Sequence, residues 1–105
     1  RRLKARKVDL VYRWRVFNEQ ATRRNIAVSI SLDEYSSIVR TACSYCGEYE
    51  GYSGVDRVQN AGTYEIDNVV ACCKTCNFKK GPLSVKEFLG KVEHIARRQH
   101  ALRTK

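Results

Sequence analysis

The fold is decided by residues 43–81, which read CSYCGEYEGYSGVDRVQNAGTYEIDNVVACCKTCNFKKG. The stretch contains two Cys-x-x-Cys pairs, Cys43 with Cys46 and Cys73 with Cys76, separated by 26 residues. This is the ligand spacing of a structural zinc site, in which four thiolates surround one tetrahedral ion. In an oxidising compartment the same thiols could form two disulfides, but a Cys-x-x-Cys pair is too close to bridge without strain. The spacing therefore predicts a zinc-stapled unit in a reducing, intracellular compartment.

Other features of the chain bound its class. Cys72, the fifth cysteine, is predicted to be a buried small apolar residue. The 105 residues are 43% apolar and 30% charged, which predicts one folded domain over residues 1–105. No apolar run reaches the roughly 18 residues of a membrane span. Because the chain begins with Arg1 and not with methionine, we expect a fragment or a processed chain.

The net charge of +9 is concentrated at the two ends of the chain. Residues 1–25 carry +7, residues 26–83 carry −2 and residues 84–105 carry +4. Basic arms beside a structured centre are typical of proteins that bind polyanions, since each neutralised phosphate releases counterions. The same charges also occur on ordinary solvated helices. The pattern favours a nucleic-acid partner.

The N-terminal part of the chain is predicted to be mainly helical. Residues 3–24, within a basic N-terminal segment 1–25, lack Gly and Pro and read as one helix capped by Asn25. Its apolar positions at i, i+4, i+7 and i+11 should dock on the core. Residues 26–42 predict a short strand over Ile26–Ile30 and then a helix. That helix begins with the capping box of Ser31 and Glu34. The docking stripe is Leu10, Trp14, Phe17 and Ala21, and the second helix should bury Leu32, Tyr35, Ile38 and Val39.

The central stretch and the C-terminal segment complete the predicted architecture. Residues 54–58 and 69–71 read as short strands, and a helix should run from Cys73 to Gly81-Pro82. Residues 84–105 predict a basic C-terminal helix that starts with the capping box of Ser84 and Glu87. The fold class is therefore α+β, with a strand-strand-helix core held by zinc and flanked by helices. One face of the last helix is marked by Val85, Phe88, Leu89, Val92, Ile95 and Ala96.

These motifs together resemble the HNH nuclease superfamily, the ββα-metal or His-Me finger fold. The resemblance covers residues 43–81, and the four-cysteine arrangement is most similar to the endonuclease VII-like branch. It is also similar to phage-type proteins in which an Asp-Arg dipeptide precedes Asn-Val-Val, so a phage or viral origin is expected. The matching segments are Cys43-Ser-Tyr-Cys46-Gly47, Gly54-Val-Asp56-Arg57-Val58, Asn68-Val-Val-Ala-Cys-Cys73-Lys-Thr-Cys76-Asn77 and Lys80-Gly81.

The resemblance implies roles for four residues. Members of the family hold a catalytic divalent ion, distinct from the zinc, and the matching ligand positions are Asp56 and Asn77. Asn68 matches the middle Asn of the motif, which orients the base or constrains the loop. A hard cation such as Mg²⁺ or Mn²⁺ takes oxygen ligands and stabilises charge on the leaving oxygen of a phosphodiester. Each of these residues could also have an ordinary structural role, for example in a turn or a salt bridge.

The sequence departs from the family pattern at the general base. Most members have a His after the Asp, whereas this chain has Arg57, which stays protonated and cannot accept a proton. Arg57 is suited to clamp the scissile phosphate or to stabilise transition-state charge. Water activation would then fall to Tyr52, Tyr64 or a metal-bound water. His94 and His100 lie far from the motif in sequence and are expected to be surface or packing residues.

Three hypotheses follow from the sequence. The leading one is a metal-dependent HNH-type endonuclease, a phosphodiester hydrolase that acts on DNA in preference to RNA. The second is a catalytically inactive zinc module that binds DNA or RNA, including as a ribonucleoprotein component. The third, a zinc-stabilised protein-interaction module, leaves the basic arms without a purpose. The sequence indicates neither an oligomeric state nor a sequence preference.

Overall fold

In the computed structural model, which describes residues 2–104 and the side chains of residues 9–104, four helices flank a two-stranded antiparallel sheet. The described side chains therefore leave out the ends of the basic arms, residues 1–8 and 105. A 3-10 turn at Ile66–Asn68 precedes the second strand. This is the predicted α+β architecture. Its elements are α1 (Arg2–Arg23), α2 (Leu32–Val39), β1 (Gly54–Arg57), β2 (Val69–Cys72), α3 (Lys74–Lys80) and α4 (Val85–Arg103).

The register of the sheet places Val55 and Asp56 on opposite faces of β1. Gly54 pairs with Cys72 and Arg57 pairs with Val69. Successive side chains of a strand point to opposite faces. Val55 packs against the hydrophobic core, and Asp56 is buried on the other face, towards α3. The alternation of β1 therefore places an acidic side chain between the sheet and the helix.

The apolar stripe of α1 docks on the core as predicted. Leu10 and Ala21 are buried, and the half-buried rings of the stripe meet aromatic partners from other elements. The Phe17 ring lies 4.7 Å from that of Tyr64, edge to face, which is a favourable geometry for an aromatic pair. Asn25 ends the helix with a left-handed φ of 56°. Helix α1 therefore packs against the region of the sheet through Phe17 and Tyr64.

Helix α1 ends in a hydrogen-bond pattern that confirms the predicted cap. The Ile26 N–H donates to Ala21 O at 2.8 Å, and the Asn25 N–H donates to Thr22 O at 3.0 Å. These are the two bonds of a Schellman motif, which satisfies the last carbonyls of a helix. Asn tolerates the left-handed conformation better than most residues. The local sequence alone therefore sets this helix end.

The segment between α1 and α2 corrects one prediction. Ile26–Ile30 does not form a strand but makes one isolated parallel bridge, between Val28 and Tyr64. Ser29 N–H donates to Tyr64 O, and Tyr64 N–H donates to Ala27 O, each at 2.9 Å. Ile26, Val28 and Ile30 do alternate in burial with their neighbours, as a strand would. The segment around Tyr64, however, pairs with this stretch at one residue. The sheet therefore stays two-stranded over the described residues.

Helix α2 begins with the predicted capping box. The Ser31 N–H donates to Glu34 Oε1 at 2.7 Å, and the Glu34 N–H donates to Ser31 Oγ at 3.1 Å. Tyr35 and Val39 are buried as predicted, and Ile38 is half-buried. The expected burial of Leu32 was wrong, since this side chain is 38% exposed at the start of the helix.

Helix α4 extends away from the rest of the protein. Its predicted capping box is present, with Ser84 Oγ accepting from the Glu87 N–H at 3.1 Å. Phe88 is the only buried residue described in the helix, and its ring lies 5.5 Å from that of Tyr45. The apolar face predicted from the sequence therefore continues into solvent beyond this contact. Its exposed members are Leu89, Val92, Ile95 and Ala96, and Leu102, which was not part of the predicted face, is exposed as well. None of the described helices has both the length and the apolar character needed to span a bilayer.

Candidate functional site

The four predicted zinc ligands meet in one cluster beside the sheet. The Sγ atoms of Cys43, Cys46, Cys73 and Cys76 all lie within 4.8 Å of one another. Cys46 Sγ and Cys73 Sγ are 3.6 Å apart. Four Zn–S bonds of about 2.3 Å in a tetrahedron place the sulfurs about 3.8 Å apart. The cluster therefore fits one tetrahedral ion, and its all-sulfur donor set suits zinc.

Local backbone geometry shapes the two Cys-x-x-Cys turns. Tyr45 N–H donates to Cys43 Sγ at 3.4 Å, and Cys76 N–H donates to Cys73 Sγ at 3.3 Å. Gly47, with a φ of 79°, closes the first turn by donating its N–H to Cys43 O at 2.9 Å. A residue with a Cβ would be strained at that φ. The backbone thus presents N–H groups to the sulfurs, which favours thiolates.

The pKa values of the cluster thiols are shifted in opposite directions. Burial raises the pKa of Cys43, but backbone hydrogen bonds, chiefly from Cys73 and Cys46, lower it to about 6. Burial, followed by the neighbouring thiols, raises the pKa of Cys76. Four thiols this close do not all ionise unless a cation compensates their charge. A divalent ion would provide that compensation and hold all four as thiolates.

Cys72 is separate from the cluster. It is 1% exposed, and its Sγ–H donates to Cys73 O at 3.4 Å. Burial and then the charge of Asp56 raise the pKa of Cys72 to about 12, so that it stays a thiol. The prediction that Cys72 is a buried small apolar residue is confirmed.

Asp56 lies between the first zinc turn and α3. Tyr45 Oη–H donates to Asp56 Oδ2 at 2.7 Å, and Lys80 Nζ lies 3.4 Å from the same oxygen and 3.5 Å from Oδ1. The side chains of Lys80 and Asp56 are only 1% and 8% exposed. Burial and the hydrogen bond to Asp56 raise the pKa of Tyr45, so the phenol keeps its proton and donates it. A buried ion pair with a third hydrogen-bond partner therefore occupies the position predicted for a metal ligand.

Lys80 also contacts the loop that follows β1. Its Nζ lies 3.2 Å from Asn60 Oδ1 and 3.5 Å from Arg57 O. Asn60 Nδ2 in turn donates to Pro82 O at 2.8 Å and to Leu83 O at 3.0 Å. The ammonium therefore has acceptors on the loop side in addition to the carboxylate, and Asn60 is fixed by the turn after α3.

Asn68 is buried, and its amide is the internal brace of the loop between the strands. Its Oδ1 accepts from the Gln59 N–H at 2.8 Å, and its Nδ2 donates to Gln59 O at 3.1 Å and to Thr63 O at 2.9 Å. A Cβ at Gly62 would lie 2.6 Å from Asn68 Nδ2, so this close approach requires glycine. Arg57 Nη1 braces the same loop from outside by donating to Gly62 O at 2.8 Å and to Asn60 O. Of the two roles considered for Asn68, this geometry favours loop constraint.

We expect Asn68→Ala to lower the free energy of unfolding by about 3 kcal/mol, because it leaves buried backbone groups of the loop unpaired. Asn18→Ala is a matched control. It removes an amide that donates to Trp14 O within α1, so its cost should stay below about 1 kcal/mol. Urea denaturation followed by tryptophan fluorescence measures both values. Equal midpoints for Asn68→Ala and the wild-type protein would contradict the loop-bracing role.

Three of the four candidate catalytic residues line one cleft. Asp56, Arg57 and Asn77 border a cavity of about 290 Å³ at the edge of the sheet, and Asn68 lies behind it in the loop. Asn77 is exposed on α3. The other lining residues are Arg24, Val55, Asn60, Tyr64, Gly81 and Pro82.

A groove of about 440 Å³ continues from this cleft along α1. Both cavities are lined by Arg24 and Tyr64, and Arg24 Nη1 donates to Tyr64 Oη at 3.3 Å. Arg57 Cζ lies 5.4 Å from the centre of the Tyr64 ring, and Arg13 Cζ lies 4.7 Å from that of Tyr52. Such contacts hold guanidinium groups in place without neutralising their charge. The path is therefore lined by ordered guanidinium groups, of which that of Arg13 is paired at 3.0 Å with Asp9, an acid that also lines the groove.

The candidate general bases are distributed unevenly. Tyr64 lines the cleft beside Arg57, whereas Tyr52 lies against Arg13 and is not among the residues that line the cleft. His94 and His100 are exposed on α4 and do not line it either. Of the side chains considered, only Tyr64 therefore lies beside the candidate residues.

The sequence interpretation missed Tyr45, Lys80 and Asn60 as parts of the site. Lys80 follows Cys76 by four residues and so lies on the same helix face, but this spacing gives no sign of a contact with Asp56. Tyr45 lies inside the first Cys-x-x-Cys pair, where a tyrosine carries no recognisable pattern. The contact between Lys80 and Asp56 joins residues 24 apart, beyond the reach of local periodicity.

The comparisons with known proteins bear on the fold. No model of a protein family matches the chain. The structure is similar to that of the rare-cutting HNH restriction endonuclease PacI, with a TM-score of 0.65 and 20% identity, over 88% of this chain and 80% of that one. The chain is also 29% identical, over 75 residues, to the uncharacterized protein R423 of Acanthamoeba polyphaga mimivirus. That match covers 70% of this chain but 14% of the mimivirus protein. The chain thus has an HNH-like fold with a four-cysteine cluster.

Proposed function

We propose that the chain is a metal-dependent HNH-type endonuclease that hydrolyses DNA phosphodiester bonds. One observation carries the proposal: Asp56, Arg57 and Asn77 line a single cleft of a fold shared with an HNH restriction endonuclease. A carboxylate, a guanidinium and an amide are suited to hold a hard cation and a phosphate side by side. The four-cysteine cluster further supports a place in the endonuclease VII-like branch, with zinc as the structural ion.

The donor set supports Mg²⁺ or Mn²⁺ as the catalytic ion. The carboxylate of Asp56 and the amide oxygen of Asn77 are hard oxygen ligands from two elements that border the same cleft. Such an ion stabilises the charge that develops on the leaving oxygen. The protein's part is to fix the two oxygens, one on β1 and one on α3.

Arg57 is proposed to bind the scissile phosphate. Its Nη1 is used by the loop carbonyls of Asn60 and Gly62, which sets the orientation of the guanidinium. The other N–H groups of an arginine fork remain donors suited to phosphate oxygens. Because Arg57 cannot accept a proton, activation of water is assigned to Tyr64 or to a metal-bound water. In this scheme Asn68 holds the loop whose carbonyls orient the guanidinium of Arg57.

Nucleic acid is the proposed partner. The groove along α1 continues the cleft, and the guanidinium groups of Arg13 and Arg24 line it. The net charge of +9 would draw a polyanion to this surface. DNA is favoured over RNA because PacI is a restriction endonuclease whose described action is on DNA. The similarity to a mimivirus protein supports a viral origin.

The proposal is tested by incubating the zinc-loaded protein with supercoiled plasmid. Mg²⁺ or Mn²⁺ should convert the plasmid to nicked and linear forms, and EDTA should stop the conversion. The EDTA exposure must be short enough for the zinc to remain bound, which metal analysis of the same sample verifies. Absence of metal-dependent nicking, with the plasmid bound, would refute the enzymatic proposal.

A second candidate, a non-catalytic module that binds DNA or RNA, is favoured by two observations. The Asp56 carboxylate is buried against Lys80 and Tyr45, and the position of the usual base is occupied by Arg57. In a site that no longer binds a metal, the ammonium of Lys80 would stabilise the buried carboxylate of Asp56 in place of the metal. Binding without cleavage, which weakens steeply as salt rises, would identify this module.

A further inference from the structure

The ion pair between Lys80 and Asp56 is the least expected feature of the site. A lysine side chain is seldom as buried as the 1% exposure of Lys80. Its partner is the residue proposed to bind a divalent cation, and both carboxylate oxygens lie within 3.5 Å of Nζ. A buried carboxylate without a counter-charge would be strongly destabilising. Lys80 supplies that counter-charge, and it does so at the residue proposed to bind the metal.

Oδ2 and Oδ1 of Asp56 have different surroundings. Oδ2 accepts the short bond from Tyr45 at 2.7 Å and lies 3.4 Å from Lys80 Nζ. Among the described residues, Oδ1 has only the contact of 3.5 Å to Lys80 Nζ, which is at the limit of a hydrogen bond. Tyr45 thus anchors one oxygen, while the other is held mainly by charge.

Lys80 has other acceptors in reach when it leaves the carboxylate. Asn60 Oδ1 at 3.2 Å is closer to Nζ than either oxygen of Asp56, and Arg57 O lies at 3.5 Å. Asn60 is itself fixed by the carbonyls of Pro82 and Leu83. A small shift of the ammonium towards the loop would therefore cost few hydrogen bonds.

We propose that Lys80 is the resident counter-cation of Asp56 in the metal-free protein, and that a divalent ion binds at Asp56 by displacing it. The inference rests on the proposed function, because it takes Asp56 as the ligand. Lys80 keeps the core intact before the metal arrives and lowers the affinity of the site for that metal, since two cations compete for one carboxylate. It is a positioning residue that acts through Asp56.

The test measures Mn²⁺ binding to the zinc-loaded protein by electron paramagnetic resonance, without any nucleic acid. Lys80→Gln, which keeps a hydrogen-bond donor and removes the charge, should bind Mn²⁺ about tenfold more tightly than the wild-type protein. The gain should vanish when Asp56→Asn is added. Lys79→Gln is the matched control, because it removes an exposed charge from the neighbouring position and should leave the affinity unchanged.

A second measurement uses the wild-type chain, so that it does not depend on a variant that folds. Titration with Mg²⁺ should shift the ¹⁵Nζ resonance of Lys80 as the ammonium leaves Asp56. A resonance that stays fixed while Mg²⁺ binds would overturn the proposal, as would unchanged or weaker Mn²⁺ binding by Lys80→Gln. Absence of any Asp56-dependent binding would also overturn it.

The outcomes separate this inference from the proposed function. Mn²⁺ binding that depends on Asp56 and strengthens in Lys80→Gln, without plasmid nicking by the wild-type protein, would leave the counter-cation role standing and remove the nuclease. Nicking by the wild-type protein, with equal Mn²⁺ affinities for the wild-type protein and Lys80→Gln, would support the nuclease and remove the counter-cation role.

Discussion

Cys73→Ser is expected to yield a protein that holds no zinc and does not fold. The substitution removes the zinc ligand but keeps the helix cap, because Cys73 is also the N-cap of α3 and serine is a good N-cap residue. What is lost is the thiolate. A structural zinc site contributes roughly 10–16 kcal/mol to folding, which is as large as the whole net stability of a typical domain. Because Tyr64 and Val69 of the stapled region belong to the main core, the loss should spread to α1 and α2.

The neighbouring cysteine provides the control for that experiment. Cys72→Ser changes a buried thiol outside the cluster, and a serine hydroxyl can donate to Cys73 O as the thiol does. It should retain about one equivalent of zinc and unfold cooperatively. Zinc content and circular dichroism of the purified proteins measure both properties. A folded Cys73→Ser protein with a full equivalent of zinc would show that the cluster is not the structural centre of the fold.

Asn77→Ala is expected to remove nicking activity while leaving the fold unchanged. The side chain is exposed on α3, so that its truncation opens no cavity. If its amide oxygen binds the catalytic ion, the loss of several kcal/mol of charge stabilisation slows cleavage at least about a hundredfold. Initial rates of plasmid nicking at saturating Mn²⁺ measure the effect, and thermal unfolding checks the fold. Asn77→Ala is therefore a cleaner probe than any substitution of Asp56.

Asp56→Asn should abolish cleavage as well, but at a cost in stability, because Lys80 would lose its counter-charge. Asp67→Asn, which changes an exposed acid outside the cleft, should retain the wild-type rate. Wild-type nicking rates in Asn77→Ala and Asp56→Asn together would rule out the proposed metal ligands, and would direct attention to a contaminating nuclease.

The parts of the fold set by local chemistry were predictable from the sequence. The capping boxes at Ser31 and Ser84 define helix starts through neighbouring residues, and the left-handed conformation of Asn25 defines a helix end. Cysteine spacing predicted the cluster, because the geometry of a metal site restricts which residues can supply ligands. These signals depend on a few adjacent residues and not on the rest of the protein.

The parts set by distant contacts were not predictable. Ile26–Ile30 has the alternation of a strand but lacks a partner long enough to pair with it. Leu32 has the periodicity of a core residue but lies at a helix start that faces solvent. The burial of Lys80 depends on Asp56, which lies 24 residues earlier on β1, and a lysine that follows a zinc-binding cysteine reads as a surface charge. Periodicity describes a face of an element but not what covers that face.

Helix α4 is exposed along most of its length. From Phe88, its one buried residue, the helix continues for fifteen residues to Arg103, a rise of about 22 Å at 1.5 Å per residue. The longest dimension of the chain is 53 Å. The rise of about 22 Å corresponds along B-DNA to about six base pairs, at 3.4 Å each. A DNA duplex that lay along α4 would meet the basic side chains of Lys91, Arg97, Arg98 and Arg103 over about that length.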